Sequence, residues 1–142
     1  MEPSAQMPAL THNVIGRHQS RIVRVRVETN ASPWLRNVRP GEVYSVPVSH
    51  GEGRFVAPEP VLRELAETGR IITRYVDPCG KPTMDILHNP NGSYGAVEGV
   101  CSPDGRIFGK MGHAERIGEG LYRNVHGVYD MRLFASAFDF FN

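Results

Sequence analysis

Cysteine is scarce in this chain: Cys79 and Cys101 are the only two in 142 residues. Two cysteines make no disulfide framework of the kind that holds small secreted domains together. An excess of charge of either sign is lacking too. Sixteen Lys and Arg against 15 Asp and Glu leave a formal net charge of +1. No global field therefore draws the chain toward nucleic acid or an anionic membrane. No apolar run approaches the roughly 20 residues that a membrane-spanning helix needs. The opening "MEPSAQMPALTHN" has neither a basic n-region nor an apolar h-region, so it does not read as a secretory signal. Internal repeats and low-complexity tracts are absent. The expectation is a soluble, cytoplasmic protein of one compact domain.

What is present is an alternation of strand and helix signals. Residues 1–20 are polar and read as an extended lead-in. "RIVRVRVE", residues 21–28, sets Val23, Val25 and Val27 on one face and Arg24, Arg26 and Glu28 on the other, the pattern of a half-exposed strand. "EVYSVPVSHGEGRF", 42–55, starts as a strand, and Pro47 makes its second half an edge or a strand end. "PEPVLRELAETG" reads as a helix over 58–68, with Pro60 in its first turn, Gly69 beyond its end, and Val61, Leu62, Leu65 and Ala66 as its apolar stripe. "RIITRYVD" is the next strand. "NPNGS", 89–93, reads as a tight turn. "YGAVEGVC", "SPDG" and "RIFGKM" read as strand, turn and strand. "YDMRLFASAFDFF" reads as a helix over 130–141 capped by Asp130, with Leu133, Phe134, Ala137, Phe138 and Phe141 inward. This mixture favours a layered α/β or α+β domain.

The chemistry-bearing residues gather in glycine-rich segments. "FGKMGHAERIG" places His113 two residues before Glu115 just after a strand, where functional residues of α/β folds collect. A carboxylate-held His can serve as a base in nucleophilic catalysis. Neither cysteine looks like the matching nucleophile. Cys101 sits at a hairpin end, followed by Pro103 and another strand, and Cys79 lies in a turn, so neither has the strand-to-helix elbow that exposes a thiolate. His12, His18, His50, His88 and His126 show no metal-ligand spacing, so no metal site is expected. "SHGEGRF" carries His50, Glu52 and Arg54 between glycines that let a ligand approach the backbone. The arginines at 17, 21, 24 and 26 read as a solvated strand face.

Taken together, "LTHNVIGRHQSR", "SPWL", "PVSHGEGRFV", the run from Tyr75 to Gly118 and "LYRNV" resemble one family. It is the glutaminase domain at the C-terminus of large phosphoribosylformylglycinamidine synthases, a class I, triad-type glutamine amidotransferase. The resemblance covers the chain from about Leu10 onward. It implies a flavodoxin-like, three-layer α/β domain with a mixed sheet, of which residues 1–142 would form the C-terminal half: a lead-in over 1–20, then sheet, helices and the His-x-Glu motif over 21–142. It also implies a Cys–His–Glu triad. The His and Glu fall on His113 and Glu115, with Ala114 where related amidotransferases often carry proline. The nucleophile belongs to a G-x-C-x-G-x-Q elbow, a motif that these residues do not contain.

By the same resemblance, Ser49, His50 and Gly51 would contact glutamine, while Glu52 and Arg54 would organise their loop or an interface. The function implied is release of ammonia from glutamine for the ATP-dependent conversion of formylglycinamide ribonucleotide to its amidine, in purine biosynthesis. ATP and Mg would be bound by synthetase domains outside this chain, and the chain itself would need no cofactor. The expected partners are the other half of the glutaminase domain and those synthetase domains. An uncovered sheet edge or apolar face would also admit a homodimer. Partners from nucleic acid or membrane are not expected. A different class of reading is a non-catalytic docking or structural domain, as a fragment or split subunit without activity of its own.

Overall fold

The structure is a computed structural model that describes residues 7–142. The first six residues of the expected lead-in lie outside the described residues. The rest of that lead-in is more structured than expected: it contains β1 (Ala9–Thr11) and the start of β2 (Gln19–Val27). The other strands are β3 (Val43–His50), β4 (Arg54–Val56), β5 (Ile71–Tyr75), β6 (Val97–Cys101) and β7 (Phe108–Lys110). The two α-helices are α1 (Glu59–Glu67) and α2 (Leu133–Phe141).

The alternating valines of β2 explain its place in the sheet. Val23, Val25 and Val27 are all buried. On its two sides β2 pairs with β3 and β5, and the five-stranded sheet runs β3-β2-β5-β6-β7. The polar face of β2 is pinned rather than free. Arg26 donates to both carboxylate oxygens of Glu28 and to the carbonyl of Gly80, and Arg24 donates to the carbonyl of Pro78. β1 and β4 form a separate antiparallel pair. The main core is built by Val25, Val27, Leu35, Val46, Ile72 and Tyr75. A second cluster, Phe55, Leu65, Ile71 and Val97, lies under α1 with Val61 and Leu62 packed against it. Helix α1 therefore buries the stripe expected of it, apart from Ala66, which is exposed.

Several details depart from the sequence reading. The alternation of strand and helix holds at β4-α1-β5, but it links two sheets, since β4 pairs with β1 and β5 lies in the five-stranded sheet. Every pairing among the described residues is antiparallel, so the parallel part of a mixed sheet would need strands other than these. Of the two alternatives at Pro47, the edge is the one adopted: β3 runs on to His50 as the outermost strand of its sheet, where a missing N–H is tolerated.

The last helix begins at Leu133, not at 130. Arg132 sits in the left-handed region with φ +52°, which a right-handed helix cannot contain. Asp130 accepts the Arg132 N–H ahead of the helix instead of capping it. The expected stripe of α2 is split. Leu133, Ser136 and Ala137 are buried, while Phe134, Phe138 and Phe141 are 68%, 67% and 55% exposed. Ser136 takes the inward place because its hydroxyl accepts the Asn37 N–H, turning α2 onto the Pro33–Leu35 turn. "NPNGS" is also more than a surface turn, since Asn89, Asn91 and Ser93 are completely buried.

Leu35→Ala should lower stability by about 2–5 kcal/mol in urea titrations, because it opens a cavity at a fully enclosed site. Phe138→Ala should stay within about 0.5 kcal/mol, as its ring is already in solvent. Equal losses in both would show that the face of α2 has been assigned the wrong way round.

Candidate active site

The hairpin of β6 and β7 delivers the His-x-Glu motif. Beyond Lys110 the chain leaves the sheet through Met111 and Gly112, and the His113 N–H donates to the Pro47 carbonyl at 2.8 Å. Position 112 has no room for a side chain. A Cβ there would lie 2.6 Å from Val46 Cγ2 and 2.9 Å from Glu98 Oε1. Glycine thus lets the chain pass close to β3 and brings His113 to the outer edge of the sheet.

His113 Nδ1 lies 2.8 Å from Glu115 Oε1. Among the described residues Nε2 has no hydrogen-bond partner. Burial raises the Glu115 carboxyl, but its own backbone N–H and the His113 side chain outweigh that effect, and the carboxyl sits below its ordinary value. The pair faces a cleft of about 390 Å³ lined by Trp34, Phe108, Lys110 and Phe134 among others. Trp34 and Phe134 meet edge to face across 6.3 Å and form its apolar wall. This arrangement can hold an imidazole in one orientation at the mouth of a half-apolar cleft, with one ring nitrogen free for proton transfer.

The segment from Ser49 to Arg54 is placed by buried amides. Asn13 donates to the His50 carbonyl at 2.8 Å and accepts the Gly53 N–H at 3.2 Å. Asn91 donates to the Gly53 carbonyl and to the Tyr75 hydroxyl. Ser93 accepts the Phe55 N–H. The His50 ring lies across Gly53, where a Cβ would come within 2.1 Å of His50 Cε1. Neither ring nitrogen of His50 has a partner among the described residues. Burial, then the nearby His113 and His18, push its imidazole down.

The remaining residues of this segment do not converge on the dyad. Ser49 lies 3.4 Å from His18, and Glu52 pairs with His12 at 3.3 Å on the surface. Arg54 donates to the Gly92 carbonyl and lies over the Tyr94 ring, so it joins the two loops. None of residues 49–54 lines the cleft beside His113; the link between the two regions is Pro47 and the proximity of His50. Cys101 is buried at the end of β6 and Cys79 is exposed in a turn. Burial pushes the Cys101 thiol up, away from the thiolate that a nucleophile needs. No group of three or more metal-ligating side chains occurs among the described residues.

Sequence reasoning missed Asn13, Asn91, Ser93, Glu98 and Lys110. The available signal was the side-chain chemistry of "NPNGS", since Asn and Ser in a turn can hydrogen-bond backbone groups of neighbouring segments as well as their own. A lone Glu in the apolar run "AVEGVC" was the other.

His113, held by Glu115, thus stands at the edge of the sheet with the glycine-bearing loop of His50 nearby. Residues 1–141 match the model of the CobB/CobQ-like glutamine amidotransferase domain, and the chain belongs to that family. Among its relatives, phosphoribosylformylglycinamidine synthase subunit PurQ of Gloeobacter violaceus is 40% identical over 114 residues, which are 80% of this chain and 47% of the relative. The subunit PurQ of Methanosarcina barkeri is 38% identical over 132 residues, 93% of this chain and 55% of the relative. The solved structure of PurLQS from Thermotoga maritima contains a chain that superposes with a TM-score of 0.71 at 27% identity, covering 96% of this chain and 54% of that one. The chain spans about half the length of the curated relatives it matches. No helix among the described residues is long and apolar enough to cross a membrane.

The depressed Glu115 carboxyl has a sign that can be checked. It stabilises the fold above the ordinary glutamate range, and that contribution is lost as pH falls through the lower, folded value. Carbon-13 titration should place Glu115 below a free glutamate. In His113→Ala it should move back up. An unchanged Glu115 midpoint in that variant would mean that the imidazole does not hold the carboxylate.

Proposed function

We propose that this chain supplies the general base and its orienting carboxylate to a glutaminase site of a phosphoribosylformylglycinamidine synthase. The observation that carries this reading is the 2.8 Å contact between His113 and Glu115, with the imidazole at the mouth of a cleft. Names of relatives support the same reading: two are PurQ subunits of that synthase. The nucleophilic cysteine comes from residues outside this chain, since neither Cys79 nor Cys101 is placed for the task.

In the proposed reaction His113 takes the thiol proton as the thiolate attacks the side-chain amide carbon of glutamine. It gives that proton to the amide nitrogen as the carbon–nitrogen bond breaks, so that ammonia leaves and the carbon stays bound to sulfur as a thioester. A water molecule then loses a proton to His113, attacks the thioester, and the thiolate departs to leave glutamate. Glu115 holds one imidazole tautomer and stabilises the charged ring at each step. Ser49, His50 and Gly51 are proposed to meet the substrate, with Glu52 and Arg54 organising that loop.

The ammonia serves an ATP- and Mg-dependent amidation carried by synthetase domains outside this chain, in the cytoplasm. The structural neighbour belongs to the PurLQS complex of Thermotoga maritima, which supports a partner-dependent site here. The exposed aromatic face of α2 offers one surface for such partners.

Glutamate release from glutamine tests the reading. The purified chain alone should be inactive, because loss of the nucleophile forfeits most of the rate of a triad. Co-expression with the elbow-bearing half should give activity, and His113→Ala should reduce it by about 10³-fold or more. Activity of the chain alone that vanishes in Cys101→Ala would overturn the assignment. A co-expressed, co-purifying complex without activity would favour a docking role instead.

A further inference from the structure

Behind the dyad lies a buried ion pair that the proposed reaction does not use. Glu98, the second residue of β6, has a side chain with no solvent exposure, and Lys110, at the end of β7, is 9% exposed. Their charges are 3.0 Å apart. Both partners also bond to one residue, and that residue is Gly112. Glu98 Oε1 accepts the Gly112 N–H at 2.6 Å. Lys110 Nζ donates to the Gly112 carbonyl at 2.7 Å. The second carboxylate oxygen, Oε2, accepts the Thr73 hydroxyl at 2.5 Å. The Glu98 backbone carbonyl accepts the Met111 N–H.

Such a pair needs a reason. Taking a carboxylate and an ammonium out of water costs several kcal/mol per ion, and apolar residues of similar size often stabilise a core as well or better. Neighbouring positions of β6 are indeed apolar: Val97, Val100 and Cys101. A stability role alone does not account for two charges at 98 and 110. Their shared contact does. One charge grips the N–H of Gly112 and the other grips its C=O, so both peptide planes flanking Gly112 are fixed. The next donor along the chain is the His113 N–H on Pro47. Bare glycine is required for this grip, because a Cβ at 112 would lie 2.9 Å from Glu98 Oε1 and 3.0 Å from Lys110 Nζ.

We infer that Glu98 and Lys110 are positioning residues. Through the Gly112 peptide they aim His113 at the cleft and keep Glu115 within reach of it. This rests on the glutaminase reading only for its catalytic consequence; the aiming itself is a property of the folded chain. The pair acts as a fixed splint and not as a proton donor: Lys110 is committed to Glu98 and Gly112, and Glu98 to Thr73, Gly112 and Lys110.

Amide exchange and kinetics test this with Glu98→Gln and Lys110→Met. In the purified chain, either variant should speed hydrogen exchange at Gly112 and His113 by about tenfold or more while the β2 and β5 amides keep their protection. In the co-expressed active complex, kcat should fall by about tenfold or more with KM within about twofold, since the base is misaimed and glutamine contacts are untouched. Uniform loss of protection across the sheet in both variants would mark the pair as merely structural and overturn the inference. Unchanged exchange at Gly112 and His113 would overturn it as well. Should Glu98→Gln fail to fold, Lys110→Met decides. The glutaminase reading fails separately, by an inactive wild-type complex, and the exchange data stand without it.

Discussion

One hydrogen bond sets the geometry on which the rest depends, that from the His113 N–H to the carbonyl of Pro47. Pro47 lies on the outermost strand of the five-stranded sheet, opposite Ile22 of β2. Its outward carbonyl would otherwise be an open group on a bare edge. Ser45, two residues earlier on the same edge, donates its N–H to the Val128 carbonyl. The chain that follows β7 therefore returns to cover the far edge of the sheet at β3, and in doing so it brings His113 across the top of the core. Proline suits that position, because the edge asks for an acceptor there and not for a donor.

From this edge contact the site is assembled on rigid parts. The His113–Glu115 contact is local, two residues apart, and needs only that the turn be held. The segment from Ser49 to Arg54 is held independently by the buried side chains of Asn13, Asn91 and Ser93. Both regions share Tyr75, whose hydroxyl takes a hydrogen bond from Asn91 and whose ionisation is opposed by burial and by the Glu98 charge. Directional hydrogen bonds from these buried side chains favour one arrangement of the loop, where apolar contacts alone would allow several. The apolar wall of Trp34 and Phe134 lowers the local polarity on the other side of the dyad.

The parts readable in the sequence were those governed by short periods and by specific motifs. The alternation in 21–28 gave β2 and its buried face, and the first-turn proline with the final glycine gave α1. The His-x-Glu pair was found because its two members are close in sequence and sit in a glycine-rich loop. The parts that were not readable depend on distant contacts. The face of α2 was misjudged because Asn37, far away in the chain, bonds Ser136 and rotates that polar residue inward. Left-handed backbone at Arg132, which no residue preference announces, delayed the helix start. The asparagines of "NPNGS" looked like turn formers, since their buried role appears only when the loops from 13 and 53 are brought to them.

The central claim is that this half-length chain already holds its imidazole in a working orientation, with the proton on Nδ1 facing Glu115 and Nε2 free. Long-range proton–nitrogen correlation spectra of the neutral His113 ring in the purified chain test it most directly. The account predicts a single tautomer with Nδ1 protonated, lost in Glu115→Ala. A proton resident on Nε2, or the mixed tautomers of a free histidine, would contradict it.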